Sequence, residues 1–354
     1  MRRYSFELLL LLSLTLLACT KSKIKTNSLP LSVGELGKIH VIADKEFLSN
    51  DIKDSLMAIF GSTQPYLNMS EPYFDFTYLT PALFKSGLVM DGTLVFIGST
   101  SDKSGLKNKI PFPPKVDSLL RSYNGQEDVA LVLKDIWAFP QRILVFLSKS
   151  PEAFKAQLER NKFSLLNRLL DLEREESALK NTYNHNKDIT KQIKSNHSIE
   201  VKVPETYRIA VDKKLSENEG FVWIRQEGAI TDLGLTFYYE PYTDTAQFQL
   251  NYQIAKRDSL YKQFIIGDGD EYVGTDNQFQ YKQTKASIGA ASGREYYATW
   301  TMINGFMGGP IYSVTQLDNS GKRIVTIEAF VFAPKFDKTK YMRELQGLIK
   351  TMNY

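Results

Sequence analysis

The pattern of apolar and polar positions divides the chain into two runs of short elements, separated by one long helix. Alternating or continuous apolar stretches predict five strands in the first run, and capping residues mark two helices there. The predicted strands cover residues 38–43, 73–79, 93–97, 129–133 and 142–147, and the helices cover 49–61 and 116–123. Because helices and strands alternate without a clean repeat, this run favours an α+β layer.

The long helix is predicted to begin at Ser150-Pro151-Glu152, which supplies a cap, a proline at the first helical position and an acidic first turn. A leucine stripe follows, with one leucine every seven residues at positions 158, 165, 172 and 179. A membrane surface or a partner helix would explain such a stripe. Packing onto the chain's own sheet is the commoner cause, and we favour it.

The second run predicts a mainly antiparallel sheet. Six strands are expected at 207–211, 221–225, 233–239, 294–302, 310–317 and 323–332, with helices at 243–262 and 337–352. Asp318-Asn319-Ser320-Gly321 is typical of a hairpin turn between the last two strands. The predicted fold class is therefore α+β in two halves, the C-terminal one a mainly antiparallel sheet with helices packed on one face.

The N-terminal segment predicts export and lipid anchoring. Met1-Arg2-Arg3 is basic, Leu8 to Leu17 is nearly all leucine, and Leu16-Leu17-Ala18-Cys19 resembles a bacterial lipobox. The apolar run is shorter than the roughly 20 residues that cross a bilayer. The resemblance implies a mature chain that begins at Cys19 and carries acyl chains, such as palmitate, on its sulfur and amino group. An ordinary cleaved signal with an incidental cysteine is the alternative.

These boundaries give the expected organisation of the whole chain. We predict a lipoprotein signal peptide at 1–18 and a lipidated N-terminus with a flexible tether at 19–37. An N-terminal α+β domain at 38–200, ending in the long amphipathic helix region, and a C-terminal antiparallel-sheet α+β domain at 201–354 follow. No acidic residue closely follows Cys19, so the expected location is the outer membrane, with the body facing the periplasm. The expected partners are the lipid bilayer, through acylated Cys19, and an unidentified envelope protein or glycan.

Composition narrows the function classes. Hydrophobic residues make up 43% of the 354 residues and charged residues 24%, as in globular domains. The formal net charge of +4 is small for this length, which argues against nucleic acid as a partner. Cys19 is the only cysteine, and His40, His185 and His197 lack the spacing of a metal pair. The sequence therefore predicts no metal, no cofactor and no catalytic nucleophile.

One loop of the C-terminal half is a candidate partner-binding site. In Met307-Gly308-Gly309-Pro310, two glycines permit unusual backbone angles and leave main-chain groups approachable. Trp300, Phe306 and Tyr312 are close in sequence and would line an apolar cleft with Gly308 and Gly309. Tight packing of a hairpin explains the same glycines, and that alternative stays open here.

Motifs in both halves resemble those of an uncharacterised Bacteroidota envelope lipoprotein family, domain of unknown function 4837. In the C-terminal half they are Pro204-Glu205-Thr206-Tyr207, Phe221-Val222-Trp223-Ile224-Arg225, Tyr239-Glu240-Pro241-Tyr242, Met307-Gly308-Gly309-Pro310 and Phe330-Val331-Phe332-Ala333-Pro334. In the N-terminal half, Pro65-Tyr66-Leu67, Glu71-Pro72 and Trp137-Ala138-Phe139-Pro140-Gln141 fit the same pattern. The resemblance implies a lipobox and an envelope location, and it implies no activity or ligand.

Four short motifs resemble the Asp-Ser/Thr-aliphatic sites at which exported bacterial proteins are O-glycosylated. The candidate acceptors are Ser55, Ser118, Thr245 and Ser259, each preceded by an aspartate. Several of these lie in predicted helices or helix caps, so ordinary helix chemistry is the alternative interpretation.

Two function classes remain open from the sequence. We favour a non-enzymatic binding or structural role in the envelope, exerted through the aromatic-rich C-terminal sheet. The rival is a carboxylate-dependent hydrolase acting on an envelope glycan, because a pair of catalytic acids is not visible in a linear sequence. Two carboxyl groups facing one another across a cleft would favour the rival.

Overall fold

The computed structural model describes residues 29–353 except 68, 86, 126–127, 279–281 and 289–290. The predicted signal peptide, Cys19 and the tether as far as residue 28 lie outside the described residues, so lipidation stays a prediction.

The first sheet has five strands in the order β2-β1-β3-β5-β4. All neighbours pair in parallel except β4 and β5, which are antiparallel. The strands are β1 Lys38–Ala43, β2 Asp75–Leu79, β3 Thr93–Ser99, β4 Val129–Lys134 and β5 Arg142–Ser148. The strand positions agree with the predictions, whereas the parallel pairing was not predicted.

Helices cover both faces of this sheet. For this reason the central strands β3 and β5 are buried along their whole length. Two helices, α1 Asn50–Phe60 and α4 Pro151–Tyr183, pack on one face. The other face is covered by α2 Gly105–Lys109 and α3 Pro114–Ser122. Local capping explains where these helices begin: the Ser49 side chain accepts from the Ile52 N–H, and the Ser150 side chain accepts from the Ala153 N–H.

Three of the four leucines in the stripe of α4 pack inside the chain, and Leu179 is only half-buried. Leu158, Leu165 and Leu172 lie in one apolar cluster with Val95 and Phe146 of the first sheet. The C-terminal half of α4 stays in contact with this sheet, where Thr93 of β3 donates to Glu176, and a short helix, α5 Lys187–His197, follows it.

The second sheet has eight antiparallel strands. Seven run in the order β10-β11-β12-β13-β8-β7-β6, and β9 pairs with β11 at one edge. They are β6 Arg208–Lys214, β7 Gly220–Glu227, β8 Asp232–Pro241, β9 Tyr272–Thr275, β10 Lys282–Ile288, β11 Ala291–Ile303, β12 Gly308–Leu317 and β13 Arg323–Phe332, with helices α6 Leu250–Phe264 and α7 Thr339–Lys350. The α+β fold class and the antiparallel C-terminal sheet are confirmed, while β9, β10 and α2 were not predicted.

The placement of the helices on this sheet differs from the prediction. We expected helices on one face, but α5 and α7 pack on one face and α6 packs on the opposite one. The reason is that the apparent solvent face of β13 is buried: Thr326 and Glu328 are both inaccessible, and α6 covers them with polar side chains. The alternation of apolar and polar residues along β13 therefore does not mark a solvent-exposed face.

Helix α7 joins the two sheets by packing against α4. The two helices approach closely at Gly347, where an added Cβ would lie 2.3 Å from Ser177 Oγ. Arg343 of α7 also forms an ion pair with Glu173 of α4, with 3.2 Å between Nε and Oε2. The division into domains at residue 200 stays a prediction. Within the described part of the chain, every helix is too short or too polar to cross a membrane.

Candidate functional site

A cavity of about 460 Å³ lies where α4 and α7 meet the second sheet. Its walls come from α4, α7, β10, β11 and β12 and from the loop before β2. The side chains that define its chemistry are Tyr66, Tyr297, Tyr312, Arg174, Glu295 and Gln346.

Three tyrosines form an aromatic wall of the cavity. Tyr297 and Tyr312 are directly opposite one another in the β11–β12 register, so they point to the same face, with ring centroids 5.0 Å apart. Tyr66 stacks on Tyr297 with 3.9 Å between centroids. Burial raises the pKa of Tyr66 and of Tyr312 well above the ordinary tyrosine value. The wall therefore presents neutral phenols at neutral pH.

Arg174 reaches the cavity from α4 and is held in one orientation. Its Nε donates to Gln346 Oε1 at 3.0 Å, and its Nη2 donates to the Tyr297 hydroxyl at 2.9 Å. The guanidinium carbon lies 5.6 Å from the centre of the Tyr312 ring. The remaining terminal nitrogen, Nη1, has a longer contact of 3.5 Å with Asp171 Oδ1. The cation is thus fixed by neutral groups and has one carboxylate near its outer side.

Gln346 carries an unused donor in the lining of the cavity. Its Oε1 accepts from Arg174 Nε and from Arg343 Nη1, the latter at 3.1 Å. Because guanidinium groups only donate, these contacts assign the amide oxygen and nitrogen without ambiguity. Gln346 is 1% exposed, and its Nε2 is without a hydrogen-bond partner among the described residues. The site therefore contains a buried amide donor whose hydrogen bond is not satisfied by the described residues.

Glu295 lies in the same cavity and accepts from two hydroxyl groups. Tyr312 donates to its Oε2 at 2.7 Å, and Thr284 donates to its Oε1 at 2.9 Å. The second carboxylate, Asp171, also lies 3.5 Å from Lys350 Nζ. Both carboxylates of the cavity are thus engaged by donors or cations.

The predicted cleft around the glycine pair is corrected by the structure. Trp300 packs under α6, against Phe330 at 5.7 Å between centroids, whereas Tyr312 belongs to the apolar cluster under α7. The two side chains lie on opposite faces of the sheet and cannot line one cleft. Phe306 is fully exposed at the hairpin between β11 and β12, and Gly309 is buried against Val331. Of the predicted residues only Tyr312 reaches the cavity.

The candidate glycosylation residues differ in accessibility. Ser55 is buried in α1 and donates to the Asp51 carbonyl, so we withdraw it as an acceptor in the folded protein. Ser118, Thr245 and Ser259 are exposed and stay predictions. Asp244, which precedes Thr245, acts as a helix cap, because its side chain accepts from the Ala246 N–H at 2.6 Å. Helix capping is therefore an alternative explanation of this motif.

Four residues of the cavity were not predicted as site residues: Arg174, Gln346, Glu295 and Tyr297. They come from three elements far apart in the chain, and their pairing needs the crossing of α4 over α7. The available signal was a tyrosine in each of two neighbouring strands, Tyr297 and Tyr312. Two tyrosines opposite one another lie on the same face of a sheet and indicate an aromatic surface there.

A second, smaller cavity of about 110 Å³ contains a cluster of acidic residues beside His40. His40 Nδ1 is 2.6 Å from Asp91 Oδ2, and Thr93 donates to Glu176. Glu173 accepts from the Gly37 N–H at 2.8 Å, and burial raises its pKa from 4.5 to about 7. In the described ranges, no group of three or more His, Cys, Asp or Glu residues is arranged to hold a metal ion.

Glu173 predicts a pH dependence of stability. Because its pKa is higher in the folded state, the folded state binds more protons between pH 4.5 and about 7, and stability falls as the pH rises through this window. A shift of this size corresponds to a loss of up to about 3 kcal/mol. We expect Glu173→Gln to remove this component. Urea unfolding gives the free energy of unfolding of both proteins at about pH 5 and at about pH 8. We expect wild type to lose more stability than Glu173→Gln between these two pH values. Parallel stability profiles of the two proteins would contradict the assignment.

Comparisons with known proteins divide the chain at α5. Residues 32–199 match the family model described as Domain of unknown function (DUF8532), and residues 186–351 match the one described as Domain of unknown function (DUF4837). The resemblance to the second family is confirmed for the C-terminal half. The N-terminal half, which we expected to fit the same pattern, matches a model of its own.

The other comparisons add no functional information. No curated protein matches the chain. A crystal structure at 1.50 Å from Bacteroides thetaiotaomicron VPI-5482 is similar over 44% of this chain and 44% of its own length, with 9% identity and a TM-score of 0.20. Similarity at this level carries no argument about fold or function.

Proposed function

Because the model that residues 186–351 match describes a domain of unknown function, we propose a function from the cavity and from the N-terminal segment. The protein is a lipid-anchored envelope protein that binds a small ligand without chemical conversion. Its ligand is an envelope component, or a segment of one, that enters the tyrosine-lined cavity.

The observation that supports binding is the preformed cavity itself. Small-molecule sites are typically clefts of about 300–1,000 Å³ lined by aromatic groups with a few convergent polar groups. The cavity of about 460 Å³ has stacked Tyr66 and Tyr297 on one wall. Arg174 and Gln346 supply polar groups that are held by other protein atoms. Such an arrangement lowers the cost of ordering side chains when a ligand binds.

The anchoring half of the proposal rests on the segment from Leu8 to Cys19. One acyl chain gives only marginal membrane binding, whereas two or more give stable attachment. A lipidated Cys19 would hold the folded body at the periplasmic face of the outer membrane through the polar tether. This location would bring the cavity close to envelope glycans and envelope proteins.

The carboxylate-dependent hydrolase remains the second candidate, with less support. It requires one carboxyl group to act as an acid and the other as a base or nucleophile. In the cavity, Glu295 is occupied by Tyr312 and Thr284, and Asp171 lies beside Arg174 and Lys350. Binding without conversion therefore ranks first.

Replacing the single cysteine tests the anchor. We expect Cys19→Ala to abolish incorporation of labelled palmitate and to remove the protein from the outer-membrane fraction, because no other thiol can accept the lipid. Ser22→Ala, in the same segment, is the matched control and keeps label and location. A Cys19→Ala protein that still takes up palmitate, or that fractionates with the outer membrane as wild type does, would refute the lipoprotein proposal.

A further inference from the structure

The donors of the cavity converge at its junction with α7. Gln346 Nε2 is buried without a partner in the described structure, and it belongs to the same side chain whose oxygen fixes Arg174. Arg174 uses Nε and Nη2 for Gln346 and Tyr297, and its Nη1 keeps only the longer contact to Asp171. A buried amide donor is stabilised when an acceptor reaches it. The group that completes this part of the site is therefore an acceptor.

The charges of the lining favour an acceptor that is anionic. The cavity has three cationic side chains, Arg174, Lys285 and Lys350, against two carboxylates, Asp171 and Glu295. Both oxygens of Glu295 already accept from hydroxyl groups, which lowers the carboxylate's demand for further donors. Asp171 is 45% exposed, at the outer side of Arg174, where solvent screens its charge. The lining thus carries one more positive than negative charge, and the guanidinium of Arg174 is held among these groups by Gln346 and Tyr297.

The remaining lining suits a carbon skeleton attached to that anion. Tyr66, Tyr297 and Tyr312 offer aromatic surface, and Leu170 and Ile349 add aliphatic surface. Aromatic rings bind the apolar faces of ring-shaped ligands, and a cavity of about 460 Å³ has room for a ligand of monosaccharide size.

We propose that the cavity selects a small organic anion, a carboxylate or a phosphate monoester on a body of monosaccharide size, held by Arg174 and Gln346. This inference rests on the proposed binding function and specifies the class of ligand. The shared chemistry is an anionic oxygen group that accepts from the guanidinium and from Gln346 Nε2.

The variant Gln346→Glu tests the inference with little expected effect on folding. One carboxylate oxygen would continue to accept from Arg174 and Arg343, while the other would replace the Nε2 donor with a negatively charged acceptor. Lys340→Gln is the matched control, because it lies on the same helix, changes the net charge by the same amount and lines a different cavity. Lys285→Gln is a second cavity variant at an exposed position, where folding is not at stake.

Calorimetric titration of each protein with four probes measures the selectivity. Galacturonate and galactose differ by one carboxylate, and glucose 1-phosphate and glucose differ by one phosphate. We expect at least one acid to bind at least about tenfold more tightly than its neutral counterpart, a difference of about 1.4 kcal/mol. Gln346→Glu should lose this preference, Lys285→Gln should weaken it a few-fold, and Lys340→Gln should keep it. The acid that binds better distinguishes a carboxylate from a phosphate ligand.

Two results would overturn the inference. The first is that neither galacturonate nor glucose 1-phosphate binds. The lipid anchor would still be tested separately, by the fractionation of Cys19→Ala. Equal affinity for acids and neutral sugars, unchanged in Gln346→Glu, would also overturn the inference while leaving the binding function in place. Melting curves of the variants, compared with wild type, identify any loss of binding that comes from unfolding.

Discussion

Glu328→Gln is expected to lower the free energy of unfolding by about 3–5 kcal/mol, because it removes the counter-charge of a buried arginine. Glu328 is fully buried in β13, and its Oε1 accepts from Arg257 Nε at 2.6 Å. The Tyr261 hydroxyl donates to Oε1 and the Tyr296 hydroxyl donates to Oε2, each at 2.8 Å. A glutamine would place an N–H donor among these donors and leave the guanidinium with Asp258 as its nearby carboxylate.

Urea unfolding followed by circular dichroism gives the measurement. Glu227→Gln is the matched control, since Glu227 also pairs with arginine but is 45% exposed, so water screens its charge and its loss is expected to change stability far less than the loss of Glu328. The double variant Arg257→Met/Glu328→Met removes both charges, so we expect it to be more stable than the single variant. A single variant as stable as wild type would show that the ion pair contributes little.

The same pair shows why the burial of polar residues in the second sheet could not be predicted from the sequence. Arg257 and Glu328 stand 71 residues apart, and each looks like a solvent-facing residue within its own element. Their burial follows from α6 crossing the second face of the sheet, which no local period encodes. The helices and most strands were predicted because caps and periodicity are local. The parallel order of the first sheet was not, because strand pairing is a long-range property.

The candidate site shows the same division between local and distant information. Tyr312 was singled out because it lies near an unusual glycine pair, and it does line the cavity. Arg174 and Gln346 are 172 residues apart and meet only where α4 packs on α7. Gly347 makes that approach possible, yet a glycine inside a helix gave no reason to expect a second helix against it. The sequence therefore predicts one residue of the site, Tyr312, but not the polar groups that surround it.

Gly309→Ala is expected to destabilise the protein by about 3 kcal/mol or more, because the new methyl group would overlap main-chain atoms. An added Cβ at Gly309 would lie 1.9 Å from the Val331 carbonyl oxygen and 3.1 Å from Trp300 Nε1. Trp300 Nε1 donates to that same carbonyl at 3.2 Å, so the substitution would disturb this buried hydrogen bond as well. The carbonyl belongs to the sheet and cannot rotate away as a flexible side chain could.

Two control variants separate packing from binding at this loop. Gly87→Ala is the matched glycine control, because an added Cβ there meets no atom within 4 Å and the backbone has φ of −66°. Phe306→Ser removes the exposed side chain of the hairpin and is expected to change stability by about 0.5 kcal/mol or less. A stable Gly309→Ala protein, measured by urea unfolding beside these controls, would contradict the packing explanation. The glycine pair would then need a reason in recognition, and Phe306 beside it would again be a candidate contact for a partner.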